Sequence, residues 1–167
     1  RVRDMLDFLV IGGGIAGISI AARLSHLGQV AVLEAEDGLG YHASGRSAAL
    51  FEETYGSPST RALNSASKSY HREANGGVLS PRGLLLLGRV DNDDAFATDL
   101  RSMEMTEIGM DDARAMIPIL DTAVVTRAAY HAEAWDIDTD LLIQNFAREL
   151  RGNGGSVMLG VRVDRVS

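Results

Sequence analysis

The chain has 167 residues, enough for one domain with a sizeable core, and carries no cysteine, which excludes disulfides, iron–sulfur clusters and thiolate chemistry. Its formal charge of -7, from 16 Lys+Arg and 23 Asp+Glu interspersed along the sequence, argues against nucleic acid or an anionic membrane as the main partner. No apolar run approaches the roughly 20 residues that cross a bilayer, and Arg1 to Asp7 leads into glycines rather than a signal-peptide core, so a soluble, cytoplasmic protein is the expectation.

Phe8 to Ile11 is a continuous apolar run, the pattern of a parallel strand buried on both faces. It breaks at Gly12, Gly14 and Gly17 in the G-x-G-x-x-G spacing. Gly12 permits the tight turn, Gly14 removes a Cβ that would obstruct a pyrophosphate, and Gly17 lets the following helix pack closely on the strand. A helix N-terminus there would offer unpaired N–H groups to phosphate. Ile15, Ile18 and Ala22 recur at helical spacing, the helix ends near Leu27-Gly28, and Val30 to Leu33 is a second strand closed by Glu34. An acid about 20 residues beyond the glycines holds adenosine ribose hydroxyls and repels a 2′-phosphate, so NADP is disfavoured.

The second strand does not lead promptly into another helix. It runs into Gly38-Leu-Gly-Tyr-His-Ala-Ser-Gly-Arg-Ser-Ala-Ala, whose small residues let backbone lie against a large flat ligand and whose Arg46 offers forked donors to an anion. This loop, the glycine fingerprint and Glu34 together resemble the FAD-dependent D-amino-acid oxidase superfamily, most nearly its bacterial D-amino-acid dehydrogenases of the D-arginine type. The resemblance continues through Tyr55-Gly-Ser-Pro, Leu79-Ser-Pro-Arg, Ile117-Pro and Asp136-Ile-Asp-Thr-Asp, so it spans nearly the whole chain.

The resemblance implies an α/β fold: a Rossmann-like FAD-binding domain of the glutathione-reductase-like type (residues 1–78 and 131–167) with an inserted α+β substrate domain (79–130). It implies that Gly12, Gly14, Ile15 and Ala16 face the FAD pyrophosphate and that Glu34 and Ala35 hold the adenosine. Ser44, Gly45, Arg46, Ser47 and Ala48 line the pyrophosphate and isoalloxazine side, and Val163 offers backbone contacts to adenine. Tyr55 matches a tyrosine on a mobile loop over the substrate. Leu50 stands where the D-arginine type has an active-site histidine, and Leu84 where it has an acid that partners a guanidinium; loss of that acid points to an apolar or small D-amino acid. His42-Ala-Ser-Gly is similar to a His-Ala-x-Gly context in which some amine dehydrogenases attach FAD covalently; the alternatives are a histidine hydrogen-bonded in its loop or one touching bound flavin.

The remaining elements follow in order. Ser57-Pro58 starts a helix, with Leu63, Ala66 and Tyr70 marking one face, that ends before Gly76-Gly77. Leu79 to Arg89 forms two strand pieces around Pro81 and Gly83, and Asp91 to Asp94 caps a helix with Phe96, Leu100 and Met103 inward. Met103 and Met105 read as core rather than metal ligands. Asp111 caps a short helix that stops at Pro118, and Val124 to Tyr130 is a strand. Asp136, Asp138 and Asp140 lack the glycine and glutamate of a calcium loop and fit a helix cap instead, ahead of an inner face of Ile143, Phe146, Ala147 and Leu150. Ser156 to Val166 is a third strand of the nucleotide sheet.

Ordinary two-domain sizes imply a flavoenzyme about twice this length, so the chain reads as a fragment lacking the groups that grip a substrate carboxylate. The expected reaction is oxidative deamination, with hydride passing from Cα to flavin N5 and the imino acid hydrolysing to a keto acid. The electron acceptor, oxygen or a quinone, is open, and no residue here stands out as a general base. The alternatives are FAD-dependent oxidation of a 2-hydroxy acid, glycerol phosphate or N-methyl amine, a non-catalytic nucleotide-binding module, and an NAD-dependent dehydrogenase.

Overall fold

The computed structural model describes residues 5–166, so Arg1 to Asp4 of the leading segment and Ser167 lie outside the described residues. In chain order the elements are β1 (Phe8–Ile11), α1 (Ile15–Leu24), β2 (Val30–Leu33), β3 (Leu50–Phe51), α2 (Pro58–Glu73), β4 (Leu79–Pro81) and β5 (Leu84–Arg89). There follow α3 (Asp93–Ser102), β6 (Thr106–Ile108), α4 (Met110–Met116), β7 (Val125–His131), β8 (Trp135–Ile137), α5 (Thr139–Gly152) and β9 (Ser156–Met158). They form two compact units: one from the residues up to Ala49 together with those from Asp138 on, the other contiguous from Leu50 to Ile137. The expected boundaries fell instead after residues 78 and 130. Strand pairing accounts for the difference, because β3, β8 and β4 form one antiparallel sheet and draw their neighbours into the second unit.

The first unit is a parallel sheet in the order β1-β2-β9, with Phe8 opposite Val30 and Val32 opposite Val157. Helices α1 and α5 lie against each other on the Val10 side of it. Ile18, Ala21, Val30, Val32, Ile143, Ala147 and Leu150 make the core, so the expected inner faces of both helices hold. Leu9 and Ile11 are 54% and 53% exposed, contrary to a strand buried on both faces, because both helices cover the same side. Asp138 caps α5 by accepting the Leu141 N–H at 2.8 Å, while Asp136 pairs with Arg82 at 2.9 Å. At the far end Glu149 takes Arg23 at 2.6 Å and His26 at 2.8 Å, tying the two helices together. The third strand is shorter than expected: it ends at Met158, and Gly160, at φ +67°, turns the chain onto the backbone beyond Glu34.

The second unit adds a second antiparallel sheet, β5-β7-β6, with α3 packed on it so that Phe96 sits over Gly88 and against Met105 and Ala129. Arg127 stacks on Phe96 at 4.4 Å and forks onto Glu107 at 2.8 and 2.9 Å. Ser57 caps α2 as expected, accepting the Thr60 N–H at 3.3 Å. Its packed face differs: Leu63 is 71% exposed and Ala66 is exposed, whereas Asn64, Ser67, Lys68 and His71 turn inward. Asn64, Ser67 and Lys68 find partners in the Glu52 carbonyl, the Asn64 carbonyl and the Glu53 carboxylate, and His71 packs edge-on to Phe51, so the helix packs without an apolar stripe. The α4 cap is Gly109, with Asp111 inside the first turn, where its charge favours the helix dipole.

Burial against Phe51 pushes the His71 imidazole below its ordinary value of 6.5. A neutral buried histidine contributes stability that is complete above the unfolded value and is lost as pH falls below it. Thermal melts at about pH 7.5 and about pH 5.5 are therefore expected to differ more for the wild type than for His71→Leu. Equal pH sensitivity in the two proteins would contradict the burial argument.

Candidate cofactor site

The glycine turn is built as its spacing requires. Gly12 adopts φ +101°, donates its N–H to the Leu33 carbonyl at 2.8 Å, and a Cβ placed on it would meet no atom within 4 Å. A Cβ on Gly17 would lie 1.9 Å from the Gly12 carbonyl oxygen, so α1 reaches the strand only because residue 17 has no side chain. Gly14 is the N-cap of α1, and neither it nor any first-turn acid fills the helix N-terminus. There Ile15 donates its N–H to Ser44 Oγ at 3.0 Å. The hydroxyl takes the hydrogen bond that a phosphate oxygen would accept at this position.

Glu34 lies at the end of β2 and turns back to the same turn. Its Oε2 accepts the Gly13 N–H at 2.5 Å and its Oε1 the Glu36 N–H at 2.9 Å. The Glu36 N–H first, then those of Gly13 and Ala35 and the nearby His42, hold the carboxyl below its ordinary value of 4.5 against the opposing effect of burial. The chain after β9 runs alongside: Gly160 donates to the Glu36 carbonyl at 3.0 Å and Val161 to that of Glu34 at 2.8 Å. These bonds bring Val163 to a cleft of about 310 Å³ shared with Gly12, Glu34, Ala35 and His42. Five expected cofactor residues thus meet, joined by Glu36 and Arg162, which the sequence did not single out. Gly13 was also missed; a Cβ there would strike Leu39 at 2.4 Å.

The loop after β2 supplies the remaining groups. His42 Nε2 lies 2.8 Å from Glu36 Oε1, so the imidazole is hydrogen-bonded within the unit. Arg46 stacks 5.1 Å over the Tyr41 ring while its Nε donates to the Tyr41 carbonyl at 3.2 Å. Gly45 sits against the Gly40 carbonyl, where a Cβ would come within 2.5 Å. Ser47 and Ala48 are exposed beyond it, with Ser47 Oγ accepting the Ala49 N–H at 3.1 Å. Ile15 and Ala16 open the first turn of α1.

The three expected substrate-side residues belong to the second unit. Leu50 heads β3 and is 38% exposed, and Tyr55 is 65% exposed in the turn before α2. Leu84 packs on the cluster of Phe96, Met105 and Ala129. The same unit holds a cleft of about 500 Å³ that the sequence did not suggest, lined by polar groups including Arg61, Lys68, Glu104 and His131. Lys68 sits 2.6 Å from Glu53, which raises the ammonium and lowers the carboxyl.

A glycine turn without a Cβ at its mouth, a helix N-terminus free of acids and an ionised carboxylate at the end of the next strand fit a dinucleotide carrying adenosine and pyrophosphate. The fold and site define a dinucleotide-binding α/β unit. The chain belongs to the FAD dependent oxidoreductase (DAO) family, whose description matches residues 7–167 and whose cofactor is FAD.

Solved structures share the fold. L-proline dehydrogenase from P. horikoshii is similar at a TM-score of 0.76 and 20% identity, over 96% of this chain and 46% of that one. Glycine oxidase from Bacillus cereus is similar at 0.75 and 19%, over 98% and 50%. L-alpha-glycerophosphate oxidase from Mycoplasma pneumoniae, with FAD bound, is similar at 0.76 and 16%, over 95% and 45%. The chain spans about half the length of these structures or slightly less. Among the described residues no helix is long and apolar enough to cross a membrane.

Proposed function

We propose that this chain is the FAD-binding part of an enzyme that oxidises a small or apolar D-amino acid to its imino acid, which water then converts to a keto acid and ammonia. The observation that carries the cofactor side is the Glu34 carboxylate, fixed by the Gly13 and Glu36 N–H groups at a cleft that Gly12 and Val163 share. Glu34 would hold the adenosine ribose, the α1 N-terminus with Ser44 the pyrophosphate, and Val163 the adenine. Bound FAD supplies the two-electron acceptor for loss of hydrogen from the carbon that bears nitrogen. The amino-acid assignment draws on the family resemblance and on the names of similar structures, which include a glycine oxidase and an L-amino acid deaminase. Leu84, packed on an apolar cluster, offers no acid to a guanidinium, which supports an apolar side chain over a cationic one.

The test is anaerobic addition of D- and L-amino acids to the purified full-length protein, followed by the visible flavin absorption. Bleaching by apolar D-amino acids with production of the matching keto acid is the expected result. Bleaching confined to L-amino acids would overturn the stereochemistry. Bleaching by glycerol 3-phosphate alone would establish a second reading, which the glycerophosphate oxidase and glycerol-3-phosphate dehydrogenase likenesses favour.

A further inference from the structure

We propose that Glu36 is a positioning residue for FAD that works through His42, pinning the Tyr41–Arg46 segment over the cofactor cleft. The proposal rests on the assignment of that cleft to FAD. The segment is held at two points. Ser44 Oγ accepts the Ile15 N–H at 3.0 Å, and His42 Nε2 meets Glu36 Oε1 at 2.8 Å. Between them Tyr41 stands edge-on to His42 at 5.2 Å and carries the Arg46 guanidinium on its ring, so the anchors are joined by stacked side chains. Glu36 is well placed to act as a post: its N–H goes to Glu34 and its carbonyl accepts from Gly160, the bonds that also shape the ribose end of the cleft.

Exposure indicates when the pair matters. The His42 side chain is 67% exposed and that of Glu36 36%, so in water the contact adds little to folding. A dinucleotide in the cleft both residues line would displace water from around them, and the same contact strengthens as its surroundings lose dielectric screening. The pair should therefore govern retention of the cofactor more than stability of the fold.

The experiment measures FAD release from the full-length holoprotein, as recovery of free-flavin fluorescence after dilution, and the melting of the apoprotein. Glu36→Ala and His42→Ala are each expected to release FAD about three- to fivefold faster, the scale of one partly exposed hydrogen bond, with apoprotein melting unchanged. Glu36→Gln, which keeps an acceptor oxygen, should fall between Glu36→Ala and wild type. The double variant should be no faster than either single one, since both remove the same contact. Wild-type release from either alanine variant, or effects that multiply in the double variant, would overturn the proposal. A wild-type protein that neither retains nor takes up FAD would overturn the assignment of the cleft itself.

Discussion

Gly17→Ala is expected to lose bound FAD and to melt well below the wild type. The new methyl would stand 1.9 Å from the Gly12 carbonyl oxygen and 3.0 Å from its carbon, and both are backbone atoms that no rotamer change can move aside. Relief requires α1 to lift from β1, which also pulls Ile18, Ala21 and Ala22 away from the sheet. Overpacking of this kind costs roughly 3 kcal/mol, at the upper end for small-to-large changes. Gly38→Ala is the matched control: a Cβ there meets nothing within 4 Å, so stability should stay within about 0.5 kcal/mol. The measurements are the ratio of flavin to protein absorption after purification and a thermal melt. Normal flavin content in Gly17→Ala would show that the turn tolerates a wider spacing between strand and helix.

Glu34→Ala is expected to weaken FAD binding by about two powers of ten. The substitution removes the acceptor of two backbone N–H groups, from Gly13 and Glu36, which shape the turn and the adjoining end of the cleft. Hydrogen bonds to a charged group contribute about 1.5–3 kcal/mol each, and the loss of roughly 3 kcal/mol in all corresponds to that change in affinity. The pH dependence follows from the depressed carboxyl. A group with a lowered folded-state value contributes stability that is complete above its ordinary 4.5 and is lost as pH falls through the folded value. Wild type should therefore show an acid loss of stability and of FAD that Glu34→Gln lacks. Titration of apoprotein with FAD, and thermal melts, at about pH 7 and in steps down to about pH 3 test both points. Wild-type affinity in Glu34→Ala would remove Glu34 from the site.

The parts of the fold that could be read from sequence were those whose cause is local. The β1–turn–α1–β2 run declares itself because apolar period, glycine spacing and terminal acid agree over fewer than thirty residues. The inner face of α5 is equally plain, since Ile143, Phe146, Ala147 and Leu150 repeat at helical spacing and are all buried. Helix α2 misleads because its partners are distant. Asn64 and Lys68 turn inward to reach Glu52 and Glu53, and periodicity carries no information about a carbonyl or carboxylate beyond the helix. The site divides in the same way. Glu34 stands at a fixed distance from the glycines, whereas Glu36 and Arg162 enter the cleft only because the chain beyond β9 folds back onto residues 34–36. Gly160 could have signalled that turn, since a glycine inside an apparent strand often marks a bend.

The division of the chain into a contiguous unit and a split one bears on how the protein emerges from the ribosome. The stretch from Leu50 to Ile137 holds all the strands of both antiparallel sheets, so it can close as soon as Trp135–Ile137 has left the exit tunnel. The nucleotide unit cannot: β1, α1 and β2 are made first but must wait for α5 and β9, and at about 5–20 residues per second that wait is on the order of ten seconds. Throughout it Ala31 to Leu33 lack the strand that later pairs with them, which leaves the nascent β1–β2 pair with an open sheet edge that the finished fold covers.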